Sequence, residues 1–339
     1  MADSNASGRR ILSGVQPTGK LHLGNYFGAV RQHIALQDEA SCFYFIADYH
    51  ALTTIHDPAV LRQLTRDVAL DYLALGLDPE KAAFFRQSDV PEVCELTWIL
   101  STVTNMGLLE RAVSYKEKIE KGIDASVGLF TYPVLMASDI LIYRSHLVPV
   151  GKDQVQHLEM TRDIAGRFND RFGEVFPIPD VRLDKESKVI GTDGQKMSKS
   201  YGNTIEIFAE GKPLQKVIMG IQTDSTPVEA PKDPTKCNVF ALYSLFGTEE
   251  EKAALAARYR AGGMGYGEAK KLLLEKINEF FGPARERRKQ LAADPEYVEG
   301  ILRAGARRAR AEAQATMALV RKAVGMKETT VGWKLTTDG

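Results

Sequence analysis

Two lysines lie three residues apart in a hydroxyl-rich segment near the middle of the chain. Residues 196–200 read Lys-Met-Ser-Lys-Ser, and glycines flank them at positions 191, 194 and 202. Lysine ammonium groups act as point charges on phosphate oxygens, and serine hydroxyls and backbone N–H groups add further donors. The pattern predicts a mobile loop that closes on a polyphosphate. A solvated basic turn is the alternative that the local composition leaves open.

A second candidate phosphate site lies near the amino terminus, where a predicted strand, a turn and a predicted helix follow one another. The strand covers residues 10–15, a Gln-Pro-Thr-Gly turn follows at 16–19, and the helix begins near Gly24 and Asn25. Helix N-termini favour anions, and a glycine lets a flat base lie against the backbone. His22 lies just before the helix and is placed to donate to phosphate. An exposed turn histidine is the other interpretation.

Strands and helices alternate through the first two hundred residues. Further strands are predicted at residues 42–47, 82–86 and 146–150, and helices at 26–37, 58–75, 91–103 and 154–172. This alternation predicts an α/β fold with a doubly wound parallel sheet, which binds ligands beyond the carboxyl ends of its strands. His50 follows one such strand end. An apolar helix predicted at 130–143 contains Asp139, which is costly to bury unless a backbone amide or an arginine satisfies it.

Strand signals fade after residue 205, and helices dominate the last third of the chain. Between Arg285 and Lys327, eleven Lys and Arg residues stand against five Asp and Glu residues. This local surplus is typical of a solvated helical face or of a face that contacts RNA. We expect one domain at residues 9–206, an all-helical domain at 207–327, and flexible tails at 1–8 and 328–339.

The composition argues against several other kinds of protein and site. Lys plus Arg and Asp plus Glu both number 44, so the formal charge is zero and a nucleic-acid contact must use a local patch. Cys42, Cys94 and Cys237 are far apart, which supports neither a zinc site nor a disulfide framework. No apolar run has the length of a membrane span. We expect a cytoplasmic protein with no metal site of its own, no membrane contact and no DNA partner.

Four segments, in order, resemble class I aminoacyl-tRNA synthetases. Residues 17–26 (Pro-Thr-Gly-Lys-Leu-His-Leu-Gly-Asn-Tyr) resemble the first signature of that class, and residues 196–200 match its second signature residue for residue. Residues 132–141 and 148–157 are similar to segments of bacterial tryptophanyl-tRNA synthetases. The similarity extends from about residue 10 to about residue 325. It implies a Rossmann-like catalytic domain, followed by a helical domain that binds the tRNA anticodon.

The resemblance also implies a reaction and its site residues. A homodimer would activate L-tryptophan with ATP and Mg²⁺ to tryptophanyl-adenylate, release pyrophosphate, and transfer the amino acid to tRNA(Trp). The implied catalytic set is His22, Asn25, Lys196, Ser198 and Lys199. The implied ATP-binding set is Gln16, Pro17, Thr18, Gly24, Asn25, Lys118, Gly151, Lys152, Asp153, Ile190, Lys196, Met197, Ser198, Lys199 and Ser200. The implied tryptophan-binding set is His50, Tyr132, Met136, Asp139, Val148, Val150 and Gln154, in which Asp139 would accept the indole N–H bond.

Two alternative functions remain beside this interpretation. A tyrosyl-tRNA synthetase shares the architecture, although residues 136–141 (Met-Ala-Ser-Asp-Ile-Leu) and 151–157 (Gly-Lys-Asp-Gln-Val-Gln-His) favour the tryptophan enzyme. The other alternative is a paralogue that binds tryptophan or RNA in a regulatory role. Such a protein would not need the lysines and glycines of both signatures, so their presence here favours the enzyme. Core packing is the ordinary alternative for Met136, Val148 and Val150.

Overall fold

Five parallel strands form the centre of the structure, a computed structural model that describes residues 9–112, 115, 120, 122, 126–151, 154–183 and 189–326. The strands are β1 Arg10–Val15, β2 Ser41–Ile46, β3 Ala82–Arg86, β4 Leu147–Val150 and β5 Asp180–Leu183. Their order across the sheet is β3–β2–β1–β4–β5, and every pairing is parallel. The progress of the chain across the sheet therefore reverses between β1 and β4. The predicted doubly wound sheet is confirmed.

Helices cover both faces of this sheet and make up the chain beyond it. In chain order they are α1 Leu23–Asn25, a π-helical turn Tyr26–Val30, α2 Arg31–Leu36, α3 Asp48–Ala51, α4 Pro58–Ala74, α5 Glu92–Ser101, α6 Met106–Glu110, α7 Val127–Ile142, α8 Val155–Phe172, α9 Gly211–Met219, α10 Asn238–Tyr243, α11 Glu249–Ala261, α12 Tyr266–Ala293 and α13 Pro295–Ala323. Helices α9 to α13 form the predicted helical second part. Among the described residues, no helix combines the length and the apolar character that a bilayer crossing requires.

Each face of the sheet buries its own apolar layer. In β2, Tyr44 belongs to the layer that includes α4, whereas Phe43 and Phe45 belong to the layer that includes α5, α7 and α8. A strand covered on both faces reads as a continuous apolar run, which is why β2 is evident from the sequence. Strand β5 was not predicted, because Asp180 and Arg182 interrupt its short run.

The last helix returns from the helical part to the edge of the sheet. Helix α13 lies against β3 so closely that a Cβ atom on Gly305 would overlap the carbonyl oxygen of Phe84 and lie 2.7 Å from its amide nitrogen. The Arg308 guanidinium donates to the carbonyl oxygen of Ala82 at 2.7 Å. Covering an edge strand in this way removes a template for pairing with other chains. The domain division at residue 206 remains a prediction.

Two arginines of this basic segment form ion pairs with a helix that covers the sheet. Arg310 lies 2.7 Å from Glu92, and Arg321 lies 2.7 Å from Glu95. Both acids are on α5, so these arginines link α13 to a helix that packs against the sheet. Contact with RNA is not needed to explain these particular side chains.

We predict that Gly305→Ala lowers the free energy of unfolding by about 1–3 kcal/mol, because the added methyl forces the helix and β3 apart. Gly300 provides a matched control, since a Cβ there meets no atom within 4 Å. Gly300→Ala should raise the stability by about 0.5–1 kcal/mol through helix propensity alone. Denaturant unfolding of both variants measures the difference. Equal stabilities would show that the close approach at Phe84 is not a constraint.

Candidate active site

A cavity of about 330 Å³ opens at the carboxyl ends of the central strands. Its position between β1 and β4 is the point where the strand order reverses, the usual ligand site of such sheets. The predicted site residues that line it are Gln16, His50, Tyr132, Met136, Asp139, Val148, Val150, Gly151 and Gln154. The fold therefore gathers at one cavity side chains that are up to 138 positions apart in the chain.

The Asp139 carboxylate is a deeply buried polar group of this cavity, with only 2% of its surface exposed. The Nε2 atom of His50 lies 2.8 Å from Oδ2. The Gln87 side-chain amide donates to both carboxylate oxygens, at 2.7 and 2.9 Å. Burial raises the pKa of Asp139, and the bonds from His50 and Gln87 oppose that rise. The ordinary partners expected for such a core aspartate, a backbone amide or an arginine, are not the ones found.

Gln87 is a residue that the sequence analysis missed. It follows directly after β3, as His50 follows β2, and 1% of its surface is exposed. Its Oε1 accepts the Tyr49 backbone N–H bond at 3.1 Å. The signal that could have found it is a polar residue at the carboxyl end of a predicted strand.

The remaining walls combine apolar strand residues with His33, and a further histidine, His157, contacts the Tyr132 side chain of the cavity. The Tyr132 hydroxyl lies 2.6 Å from Nε2 of His157, and the Ser13 hydroxyl lies 3.1 Å from Nδ1 of His33. Residues that line the cavity without having been predicted are Leu12, Ser13, Gly14, Ala29, His33, Phe45, Ala47, Ile140 and Pro149. Most of them are small or apolar, and the sequence gives no means to distinguish such residues from ordinary core.

The loop of residues 196–200, called the lysine loop below, lies against the first signature, residues 17–26. The Lys199 ammonium donates to the Thr18 carbonyl oxygen at 3.2 Å, and partial burial lowers its pKa. A Cβ atom on Gly24 would lie 3.5 Å from the Cβ of Met197, which is itself buried. The two segments are therefore neighbours in the fold, although about 180 positions separate Lys199 from Thr18.

His22 is buried beside this loop and is neutral at neutral pH. Burial, with a smaller effect of the Lys199 charge, lowers its pKa to about 4. Its Nδ1 atom has no hydrogen-bond partner among the residues that the structure describes. Asn25 accepts the His22 backbone N–H bond at 3.1 Å through its side-chain oxygen. A neutral imidazole beside a loop of lysines can offer one N–H donor without adding charge.

Asn203 holds the lysine loop in shape. It is buried, and its side-chain oxygen accepts the Ser198 backbone N–H bond at 2.8 Å. Its amide nitrogen donates to the Lys196 carbonyl oxygen at 3.1 Å and to the Asp193 carboxylate at 2.8 Å. The Lys196 backbone also pairs with Ile190 in an isolated antiparallel bridge. The side chains of Lys196, Lys199 and Ser200 are left exposed on the loop that these bonds define.

Three predicted ATP-site residues, Lys118, Lys152 and Asp153, lie outside the described residues, as do the predicted tails. Within the described part of the chain, no three His, Cys, Asp or Glu side chains come together as a metal site would require. The arrangement offers cations, side-chain amides and a buried carboxylate.

Comparisons with known proteins agree with this site. The family described as tRNA synthetases class I (W and Y) matches residues 5–282. A tryptophan–tRNA ligase from Rhodopirellula baltica is 57% identical over 319 residues, which cover 94% of this chain and 100% of that relative. A tryptophan–tRNA ligase from Fusobacterium nucleatum is 53% identical over 320 residues, which cover 94% of this chain and 98% of the relative.

A solved structure extends the agreement to three dimensions. The tryptophanyl-tRNA synthetase from Campylobacter jejuni, complexed with ADP and tryptophan, has a TM-score of 0.91 and 50% sequence identity. The match covers 94% of this chain and 100% of that one. The resemblance inferred from the four sequence segments is confirmed. The chain belongs to the class I tRNA synthetases for tryptophan and tyrosine, in the branch of the bacterial tryptophanyl-tRNA synthetases.

Proposed function

We propose that this protein is a tryptophan–tRNA ligase. It activates L-tryptophan with ATP to tryptophanyl-adenylate, releases pyrophosphate, and transfers the amino acid to the 3′ end of tRNA(Trp). One observation carries the proposal: the lysine-bearing loop and the buried carboxylate belong to one site. Asp139 and Gln16 line the same cavity, and Lys199 contacts the carbonyl group of Thr18, two residues after Gln16. The tyrosine-specific alternative is not favoured, because the relatives at 53–57% identity are tryptophan–tRNA ligases.

The chemistry of activation needs no general base. The tryptophan carboxylate is an anion at neutral pH, so it can attack the α-phosphorus of ATP without losing a proton to the protein. The work of the protein is to position the two reactants and to stabilise the charge that shifts to the leaving pyrophosphate. Lysines, glycines and backbone amides supply that environment.

Asp139 recognises the amino acid through the indole N–H group. The rest of the cavity is largely apolar, with Met136, Val148 and Val150 as walls for the ring and with Tyr132 and Gln154 toward the α-ammonium. Phenylalanine carries no donor, so it would leave a buried acceptor unpaired, which is heavily penalised. A tyrosine hydroxyl can donate to a carboxylate, so its rejection depends on the shape of the apolar walls.

ATP, bound as its Mg²⁺ complex, occupies the neighbouring part of the site. Gln16 to Thr18, Gly24, Asn25 and Gly151 line the nucleotide, and Lys196, Lys199 and the loop hydroxyls hold the departing phosphates. Neutral His22 donates one N–H bond to phosphate. ADP in the Campylobacter jejuni structure supports nucleotide binding by this chain. Lys118, Lys152, Asp153 and Ile190 remain predicted nucleotide contacts, and Mg²⁺ is carried chiefly by the nucleotide.

The second substrate is tRNA, for which the helical part of the chain offers an additional surface. We assign anticodon binding to residues 207–327. Cross-linking of labelled tRNA(Trp) to this region would test the assignment, and excess unlabelled tRNA(Trp) should abolish the cross-link. We place the protein in the cytoplasm, where ATP and tRNA are available, and cell fractionation would test that placement.

Pyrophosphate exchange into ATP tests the proposed function directly. Exchange should require Mg²⁺ and L-tryptophan, and L-tyrosine and L-phenylalanine should not support it. Asp139→Asn should lower kcat/KM for tryptophan roughly 10–100-fold, because a bond to a charged group contributes about 1.5–3 kcal/mol. The KM for ATP and the melting temperature should change little. Unaltered tryptophan kinetics in this variant would remove Asp139 from the amino-acid site.

Lys199→Ala should slow adenylate formation about a hundredfold, since it removes a cation from the transferring phosphates. Equilibrium binding of tryptophan should be unchanged, because Lys199 does not line the cavity that holds Asp139. Stopped-flow measurement of the first turnover separates the two effects. Lys212→Ala, an exposed lysine on α9, is the matched control and should behave as wild type. Equal rates for both variants would contradict a role for the loop.

Exposed apolar side chains on neighbouring elements support a homodimer. Trp98 on α5 and Val127 at the start of α7 are 72% and 78% exposed, and Leu52 and Met106 are also exposed. A cavity of about 350 Å³ that Leu52 helps to line lies between α5 and α7. Trp98 and Val127 lie on two helices that pack against each other, and a contiguous exposed apolar patch commonly marks an interface.

We predict that the protein has twice the mass of one chain in solution and that Trp98→Glu shifts it to the monomer. A charge buried in an apolar interface without a partner is strongly unfavourable. Light scattering after size-exclusion chromatography measures the mass. Leu319→Glu, at an exposed apolar position on α13, is the control and should stay dimeric. A monomeric wild type would overturn the assignment.

A further inference from the structure

The hydrogen bonds around Asp139 leave one acceptor position open. An ionised carboxylate has about four lone-pair sites, two on each oxygen. The Gln87 N–H bond is shared between the two oxygens, at 2.9 Å from Oδ2, and Oδ2 also lies 2.8 Å from His50 Nε2. Oδ1 receives only Gln87, at 2.7 Å, among the bonds of the described residues. The remaining site is therefore on Oδ1, in a side chain that lines the cavity.

Gln87 is itself held so that its amide can face only one way. Its Oε1 atom accepts the backbone N–H bonds of Tyr49 at 3.1 Å and of His50 at 3.4 Å. An amide flipped by 180° would place its NH₂ group against these two donors and its oxygen against the carboxylate. The donor end of Gln87 is thus fixed on Asp139 by the backbone at the end of β2.

Further hydrogen bonds between the ends of β2 and β3 hold the Gln87 side chain in place. Asp48, one residue before Tyr49, accepts the Ser88 backbone N–H bond at 3.0 Å, and its other oxygen accepts the Ser88 hydroxyl. The chain segments after β2 and β3 are therefore bound to each other on both sides of Gln87. The Gln87 amide carries that fixed geometry to Asp139 on α7.

We propose that Gln87 is a specificity-determining positioning residue, which holds the Asp139 carboxylate so that one lone pair of Oδ1 points at the indole N–H group. The proposal rests on the proposed tryptophan activation and deepens it. Gln87 does not line the cavity, and its amide nitrogen acts on the substrate through Asp139. Without it, the carboxylate can rotate, and the acceptor direction that selects an N–H donor is lost. His50 alone contacts a single oxygen and leaves that rotation open.

An analogue of tryptophan isolates this effect. In L-β-(1-benzothiophen-3-yl)alanine a sulfur atom replaces the indole N–H group, while the shape of the ring system is nearly kept. The ratio of kcat/KM for tryptophan to kcat/KM for the analogue, measured by pyrophosphate exchange, reports the indole bond alone. Gln87→Met keeps the length of the side chain and removes its donor and acceptor. Gln87→Asn keeps an amide but withdraws it by one methylene group.

Gln37 supplies a matched control elsewhere in the fold. Its side chain bridges two backbone groups, since it donates to the Gly76 carbonyl oxygen at 3.2 Å and accepts the Asp78 N–H bond at 2.8 Å. It lines no part of the cavity. Gln37→Met should lower the melting temperature without changing the tryptophan-to-analogue ratio.

We expect both Gln87 variants to lower this ratio about tenfold, chiefly by raising the KM for tryptophan, while the KM for ATP is kept. A fall in activity that is equal for both amino acids would assign Gln87 a structural role and overturn the proposal. So would failure of both variants to fold, or a wild-type ratio near one. Failure of the wild type to activate tryptophan at all is a separate result, and it would overturn the proposed function itself.

Discussion

A carboxylate buried in an apolar helix must be satisfied by other groups, and this requirement organises the site. Asp139 lies among the apolar residues of α7, where an unpaired charge would cost several kcal/mol. Its partners come from the ends of two different strands, because the sheet places the carboxyl ends of β2 and β3 side by side. The carboxylate that we propose binds the amino acid is therefore also a link between three elements of the fold.

The edge of the sheet is constrained by the same strand order. Strand β3 carries Gln87 at its end and is an edge strand, so its position depends on what covers it. Helix α13 supplies that cover, with Gly305 against the strand backbone and Arg86 of β3 paired with Glu299 at 2.7 and 2.9 Å. Helix α13 is distant in sequence from the residues of the proposed amino-acid cavity. It nevertheless helps to hold β3, and Gln87 at the end of β3 contacts Asp139.

The sequence predicted the parts of this molecule that carry local signals. Alternating strands and helices and the paired lysines of residues 196–200 stand out by composition and spacing, whereas the first signature and the role of Asp139 were predicted only from the family resemblance. Gln87 carries no such mark, since its role depends on β2 and β3 being neighbours, which only the strand order shows. Strand β5 was not predictable because charged residues interrupt its short apolar run. The docking of α13 was not predictable because the apolar stripe of a helix does not show which element it packs against.

The two ends of the site differ in a way that matches the two tasks of the reaction. At the proposed amino-acid end, Asp139 and Gln87 are buried and bound to one another, so the proposed acceptor is fixed before the substrate arrives. At the phosphate end, Lys196 and Lys199 are exposed on a loop whose backbone is shaped by Asn203. Discrimination between similar rings needs a rigid acceptor, whereas charge that moves to a leaving group needs cations that can follow it. Placing the rigid groups in the core and the cations on a surface loop satisfies both requirements within one cleft.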